Sequence, residues 1–180
     1  MSACADALTL GRLLTALIFP WSVVRGGCFP LALFALAAAS DFIDGRLARR
    51  ARIPTRHGAV LDTLADVAFV LAGTVSGSVV GLTTWAVPAS IVLSAGSYAL
   101  ASVRLTAGAP HPELARSTVG HAAGVCNYVC VGVVTGALAL PGPIWPGILT
   151  TVAFGTVLVN VAAVTLRLLE RPLGARSMVG

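Results

Sequence analysis

The 180-residue sequence predicts an all-α integral membrane protein: a bundle of six transmembrane helices in a single domain spanning residues 1–180. Three observations predict it. Hydrophobic residues make up 57% of the chain and charged residues 11%, where an ordinary soluble domain carries about 25% charge. Mean hydropathy is +0.90. Apolar runs recur at about the 20 residues a bilayer core demands, separated by links bearing Gly, Pro or Arg. The formal net charge of +5 is arginine throughout, since no lysine occurs. Basic residues flanking apolar helices face anionic lipid, and so little polar surface remains that nucleic acid is excluded as a partner.

The elements follow in order. A first helix runs from about Leu8 to Val24 and is punctuated by Arg25-Gly26-Gly27. It is a retained helix, because Asp6 and Arg12 interrupt any signal-peptide pattern. The second, about Phe29 to Ala51, is apolar until Asp41 and then Arg-rich; Pro54 stops it. The third, about Gly58 to Val80, carries its acids in the first two turns. The fourth spans about Trp85 to Leu105, with Pro88 tolerated in its first turn. The fifth and sixth run from about Ser117 to Leu140 and Gly147 to Leu169. Short links make consecutive helices antiparallel neighbours, the second and third included.

Arginine distribution orients the bundle. Arg46, Arg49, Arg50, Arg52 and Arg56 cluster at the second link, Arg104 and Arg116 at the fourth, and Arg167, Arg171 and Arg176 at the C-terminus; Arg25 stands alone opposite. The positive-inside asymmetry puts both termini and the second link on the cytoplasmic side of a cell inner or plasma membrane. Trp21, Trp85 and Trp145 fall near the other ends, as an interfacial belt would. Cys4, Cys28, Cys126 and Cys130 form no CxxC and read as small buried hydrophobes.

Chemistry concentrates between residues 41 and 66. Of seven acidic residues in the chain, four lie here: Asp41, Asp44, Asp62 and Asp66. A carboxylate at bilayer depth is expensive and marks function by default. Spacings of three and four place each pair on one helical face. If the two faces meet, the carboxylates repel and call for cations, and hard oxygen donors suit Mg²⁺ or Mn²⁺. Four carboxylates suit two metals, an arrangement that serves phosphoryl chemistry.

The order Asp41-x₂-Asp44-Gly45-x₂-Ala48-Arg49-x₈-Gly58-x₃-Asp62-x₃-Asp66 matches, at every fixed position, the signature of the CDP-alcohol phosphatidyltransferases, and the sequence resembles that family. The resemblance implies a six-helix membrane enzyme that transfers a substituted phosphate group from a CDP-linked lipid such as CDP-diacylglycerol to a hydroxyl acceptor, releasing CMP in phospholipid biosynthesis. It implies two divalent cations per site and a homodimer. Asp41, Asp44 and Asp62 would be metal ligands. Asp66 would complete the second metal site and act as general base. Gly45, Ala48, Arg49 and Gly58 would surround the CDP moiety, and Thr55 would place a hydroxyl near its phosphates. Asp6 and Thr9, followed by Arg12, resemble the family's nucleotide contact at the first helix; Asp6 would accept from the cytosine amino group or cap the helix.

The acceptor end is read from charge. Arg104, well inside its helix, is costly there unless it faces an aqueous pocket. With Arg116 and His121 it would bind an anionic acceptor. Asn127 and Tyr128 read as interhelical hydrogen bonders. The chain departs from phosphatidylglycerophosphate synthases where it has Gly120-His121 for Gly-Lys and Val67 for a lysine after the last aspartate, and it lacks their fourth-helix Arg-Glu pair. Two other classes compete with the enzyme reading. A cation transporter would continue ionisable residues across the bilayer, and the outer halves of the second and third helices have none. A silent lipid-binding scaffold would have lost at least one acid, and all four are present.

Overall fold

A computed structural model describes the backbone of residues 2–50, 56–106 and 118–169, with side chains described for 9–40, 60–102 and 118–169. These segments form six helices: α1 (Ser2–Arg25), α2 (Phe29–Arg50), α3 (Arg56–Val79), α4 (Ala86–Thr106), α5 (Thr118–Ala139) and α6 (Trp145–Leu169). The all-α expectation holds, with boundary shifts that have local causes. α1 begins six residues before the expected Leu8, so Asp6 lies inside the helix and does not cap it. α6 begins at Trp145, which puts Pro146 in the first turn, where its missing N–H costs nothing. Gly26, Gly27 and Gly81 sit at φ +70, +73 and +77 and terminate α1 and α3, a conformation that a side chain would strain.

Among the described residues, three helices are long and apolar enough to cross a membrane: Val60–Val79, Thr118–Ala139 and Trp145–Leu169. Phe29–Ser40 and Ala86–Ser102 are shorter apolar stretches. Six helices were expected to qualify. α2 loses its apolar character at Asp41 and gives the rest of its length to acid and arginine.

The bundle packs most closely as α1 on α3, α5 on α6 and α4 on α6. α2 and α3, expected to be direct neighbours, each pack against α1 and α5, and they meet through the stacked rings of Phe34 and Phe69, centroids 6.5 Å apart. Two glycines explain the close approach of α3 to α5. A Cβ built on Gly73 would lie 2.7 Å from a Val131 methyl, and one on Gly77 3.2 Å from Val134. Gly132 likewise receives the Phe34 ring from α2. Small residues serve this purpose in membranes, where van der Waals packing replaces the hydrophobic drive.

Polar side chains tie the remaining helices. On α6, Asn160 is fully buried and donates to Asn127 Oδ1 on α5 at 2.7 Å and to its own helix at Thr156 O at 2.9 Å. Arg167, one of the arginines expected to mark the C-terminus, turns inward onto α4. It donates to Ser94 O and Ser97 Oγ of α4, each at 2.8 Å, and its guanidinium lies 5.5 Å from the Tyr98 ring centre. Trp21 and Trp85 are exposed, as a belt requires, whereas Trp145 packs on Gly136 and donates to Leu140 O, closing the last turn. Cys130 is buried and Cys126 partly so, but Cys28 is exposed, contrary to the expectation for all four; none of these three is in a disulfide.

Candidate active site

The site is built where the first turns of α3 meet α1 and α5. α3 is apolar from Val67 onward, so its two carboxylates fall at one end of the helix. Asp62 and Asp66 are one turn apart and face the same way, as the i, i+4 spacing requires. Both reach a single atom. Arg12 Nη1 donates to Asp62 Oδ1 at 2.8 Å and to Asp66 Oδ1 at 2.5 Å. The Arg12 side chain is fully buried, while Asp62 and Asp66 remain 43% and 31% exposed. The cation is therefore a fixed part of the protein interior, and the carboxylates open outward from it. Thr9 lies one turn before Arg12 on the same face of α1, half-buried.

A fourth side chain joins from α5. Tyr128 donates its hydroxyl to Asp66 Oδ1 at 3.0 Å. Its ring lies 5.9 Å from Phe69 and 6.5 Å from Phe34, in an aromatic cluster completed by Phe19, which meets Phe69 edge-on at 5.3 Å. Phe19 and Phe69 are fully buried. Phe69 is one turn beyond Asp66, so the cluster forms the apolar floor beneath the carboxylates. The expectation that Tyr128 bonds between helices holds, and its partner is what sequence left unnamed. A tyrosine in an apolar helix does signal that its hydroxyl needs a partner, but only folding names which one.

The other sequence-predicted residues divide by how much of them is described. His121 is exposed on the first turn of α5, two turns before Tyr128 and on the same face. Asp41, Asp44, Gly45, Ala48 and Arg49 lie on the last turns of α2, Gly58 on the first turn of α3, Asp6 on α1 and Arg104 on α4; what surrounds them is outside the described residues. Thr55 and Arg116 lie wholly outside them. Among the described residues, no three His, Cys, Asp or Glu side chains converge as a metal site would require; two of the four expected ligands converge, on Arg12.

Those two fit a divalent cation. They offer hard oxygen donors from one helical face, with carboxylate surface that the protein leaves open. The arrangement can hold anionic oxygen chemistry against a buried fixed cation, and it can present a partly exposed carboxylate to a hydroxyl.

Comparison with known proteins agrees with this chemistry. A protein of Cereibacter sphaeroides named CDP-diacylglycerol–glycerol-3-phosphate 3-phosphatidyltransferase is 38% identical over 76 residues. That match covers 41% of this chain and spans 33%, about a third, of the relative's length. The family model for CDP-alcohol phosphatidyltransferase matches residues 2–167, which takes in α1 with Arg12, both ends of the acidic motif, Tyr128 and nearly all of α6. The chain belongs to the CDP-alcohol phosphatidyltransferase family.

Proposed function

We propose that this protein transfers a phosphatidyl group from a CDP-linked lipid such as CDP-diacylglycerol to a hydroxyl acceptor, releasing CMP, at the cytoplasmic face of the membrane that holds its helices. The observation that carries this reading is the convergence of Asp62 and Asp66 on buried Arg12 at one end of an otherwise apolar helix. Family membership supplies the donor class.

Asp41, Asp44, Asp62 and Asp66 would hold two Mg²⁺ or Mn²⁺ ions. When bound, such ions neutralise the diphosphate and stabilise the departing phosphate oxygen. The protein's own part is orientation and proton transfer. Asp66 takes the proton of the acceptor hydroxyl as that oxygen bonds to the lipid-side phosphorus, because an alcohol is a poor nucleophile near neutral pH. The bond from that phosphorus to the bridging oxygen breaks, and CMP leaves with the electron pair. Arg12 holds the Asp62 and Asp66 carboxylates toward one point while keeping their charge compensated. Gly45, Ala48, Arg49, Thr55 and Gly58 enclose the CDP moiety, with Asp6 and Thr9 at its base. The buried aromatic floor excludes water beneath the carboxylates.

For the acceptor, we infer an anionic phosphate-bearing alcohol of the glycerol 3-phosphate kind, bound by Arg104, Arg116 and His121. The exposed position of His121 on the Tyr128 face supports this, as does the name of the Cereibacter sphaeroides relative. The protein acts as a homodimer in this reading.

The test is CMP release by purified protein in nanodiscs, with CDP-diacylglycerol, Mg²⁺ or Mn²⁺, and a panel of acceptors including glycerol 3-phosphate, inositol phosphate, serine and phosphatidylglycerol. Metal-dependent release with one acceptor, lost in Asp66→Asn, is the expected result. No release and no metal-dependent binding of the CDP-lipid would overturn the reading in favour of a silent scaffold.

A further inference from the structure

We propose that Tyr128 is a positioning residue for Asp66, setting the orientation of its carboxylate for proton transfer. This rests on the reading of Asp66 as general base. The warrant is geometric. A carboxylate's terminal torsion is broad and nearly two-fold, so a single contact leaves it free to turn. Asp66 Oδ1 takes two donors from two different helices, Arg12 Nη1 on α1 at 2.5 Å and the Tyr128 hydroxyl on α5 at 3.0 Å. Two donors approaching one oxygen from separate directions restrict the rotation that either alone would allow.

The tyrosine is itself held. Its ring packs on Phe69 at 5.9 Å with 31° between planes, and on Phe34 at 6.5 Å. Phe69 and Asp66 belong to the same helix, three residues apart. The ring contact and the hydroxyl contact therefore reach α3 one turn apart, and movement of α5 along α3 would disturb both together. Gly73 fixes that register from the other direction, since Val131, three residues beyond Tyr128, fills the space its missing side chain leaves. A chain of packed groups thus runs from the α3–α5 seam to one carboxylate oxygen. Tyr128 touches neither the reacting phosphorus nor the acceptor in this scheme; it acts through Asp66.

Tyr128→Phe removes the hydroxyl and keeps the ring, so it separates orientation from packing. The experiment measures kcat, KM for CDP-diacylglycerol, and the melting temperature in chelator, for wild type, Tyr128→Phe and Asp66→Asn. The expected result is a fall in kcat of about 10- to 100-fold for Tyr128→Phe, the size of one hydrogen bond to a charged group. KM should stay within about twofold, because such a loss acts on the reacting step and not on donor binding, and the melting temperature should remain close to wild type. A purely structural tyrosine would lower the melting temperature and leave kcat intact below it; that outcome overturns the proposal. So does an unchanged kcat in Tyr128→Phe beside an inactive Asp66→Asn, which leaves the general base standing and removes only its positioning. Full activity in Asp66→Asn would instead remove the general base, and the proposal with it.

Discussion

Arg12→Gln tests whether the buried guanidinium is what makes two neighbouring carboxylates tolerable. The substitution keeps a polar side chain of helical character and removes the charge. In the native chain one nitrogen serves Asp62 and Asp66 together, and the Arg12 side chain has no solvent exposure. Removing one partner of a buried ion pair costs about 3–5 kcal/mol, because it strands an uncompensated charge. The carboxylates here keep 43% and 31% of their surface exposed, so water recovers part of that and the lower end, about 3 kcal/mol, is expected. On the scale of soluble domains of this size, that is a melting-temperature drop of about 6–12 °C. The assay is thermal unfolding in nanodiscs with chelator and again with excess Mg²⁺. Cations drawn to the two carboxylates should return part of the lost stability to the variant, and CMP release should stay depressed because the carboxylates are no longer drawn to one point. A variant that melts within about 1 °C of wild type in chelator would refute the reasoning, since it would mean that the guanidinium compensates nothing.

Further outcomes follow from the packing and the chemistry. Gly73→Ala places a methyl 2.7 Å from Val131 Cγ1 and should destabilise by about 1–3 kcal/mol; Val131→Ala in the same chain should restore most of it, as read by chemical denaturation. A double-mutant cycle on Asn127→Ala and Asn160→Ala should return a coupling of about 0.6–1.7 kcal/mol, the range for interhelical hydrogen bonds in membranes. Arg167→Met severs the donations to Ser94 and Ser97 and should raise hydrogen exchange in the last turns of α6 without changing that of α3. Chelation should abolish CMP release, with recovery on adding Mg²⁺ or Mn²⁺ but not Ca²⁺, whose larger coordination sphere fits a two-metal carboxylate site poorly.

Much of the site could be read before folding because its information is local. Asp62 and Asp66 share a helix, and their four-residue spacing alone requires a common face; the structure places both on one nitrogen. The six helices were legible from their apolar stretches and the Gly, Pro and Arg between them, although only three of them, α3, α5 and α6, are apolar over a membrane-spanning length among the described residues. What could not be read is what arrives from elsewhere in the chain. Arg12 stands 50 residues before Asp62, and Tyr128 lies 62 residues beyond Asp66; no periodicity connects them. Helix packing was legible in part, since α2 and α3 do meet through Phe34 and Phe69. What short links do not reveal is that, among the described residues, the grooves at Gly73 and Gly132 bring α5 against both. The start of α1 was misplaced because Ser2 to Ala7 is weakly apolar and carries an acid, so hydropathy drops before the helix does. Arg167 was read from charge as marking the C-terminus, and the serines at 94 and 97 on α4 offer it acceptors that only the fold brings within reach.

The long separation of Arg12 from its partners bears on how the protein is made. Arg12 belongs to the first helix, and the two aspartates it meets are encoded at positions 62 and 66. At about 5–20 residues per second of synthesis, translation needs roughly 3–10 s to cross that interval. For those seconds the nascent chain carries Arg12 without the two carboxylates that Nη1 meets in the folded protein. In the proposed six-span topology, the first helix waits near the interface or within the insertion machinery until the third arrives. Ribosome-stalled chains cut off before and after residue 66 should then differ in how deeply the first helix is shielded from a water-soluble labelling reagent.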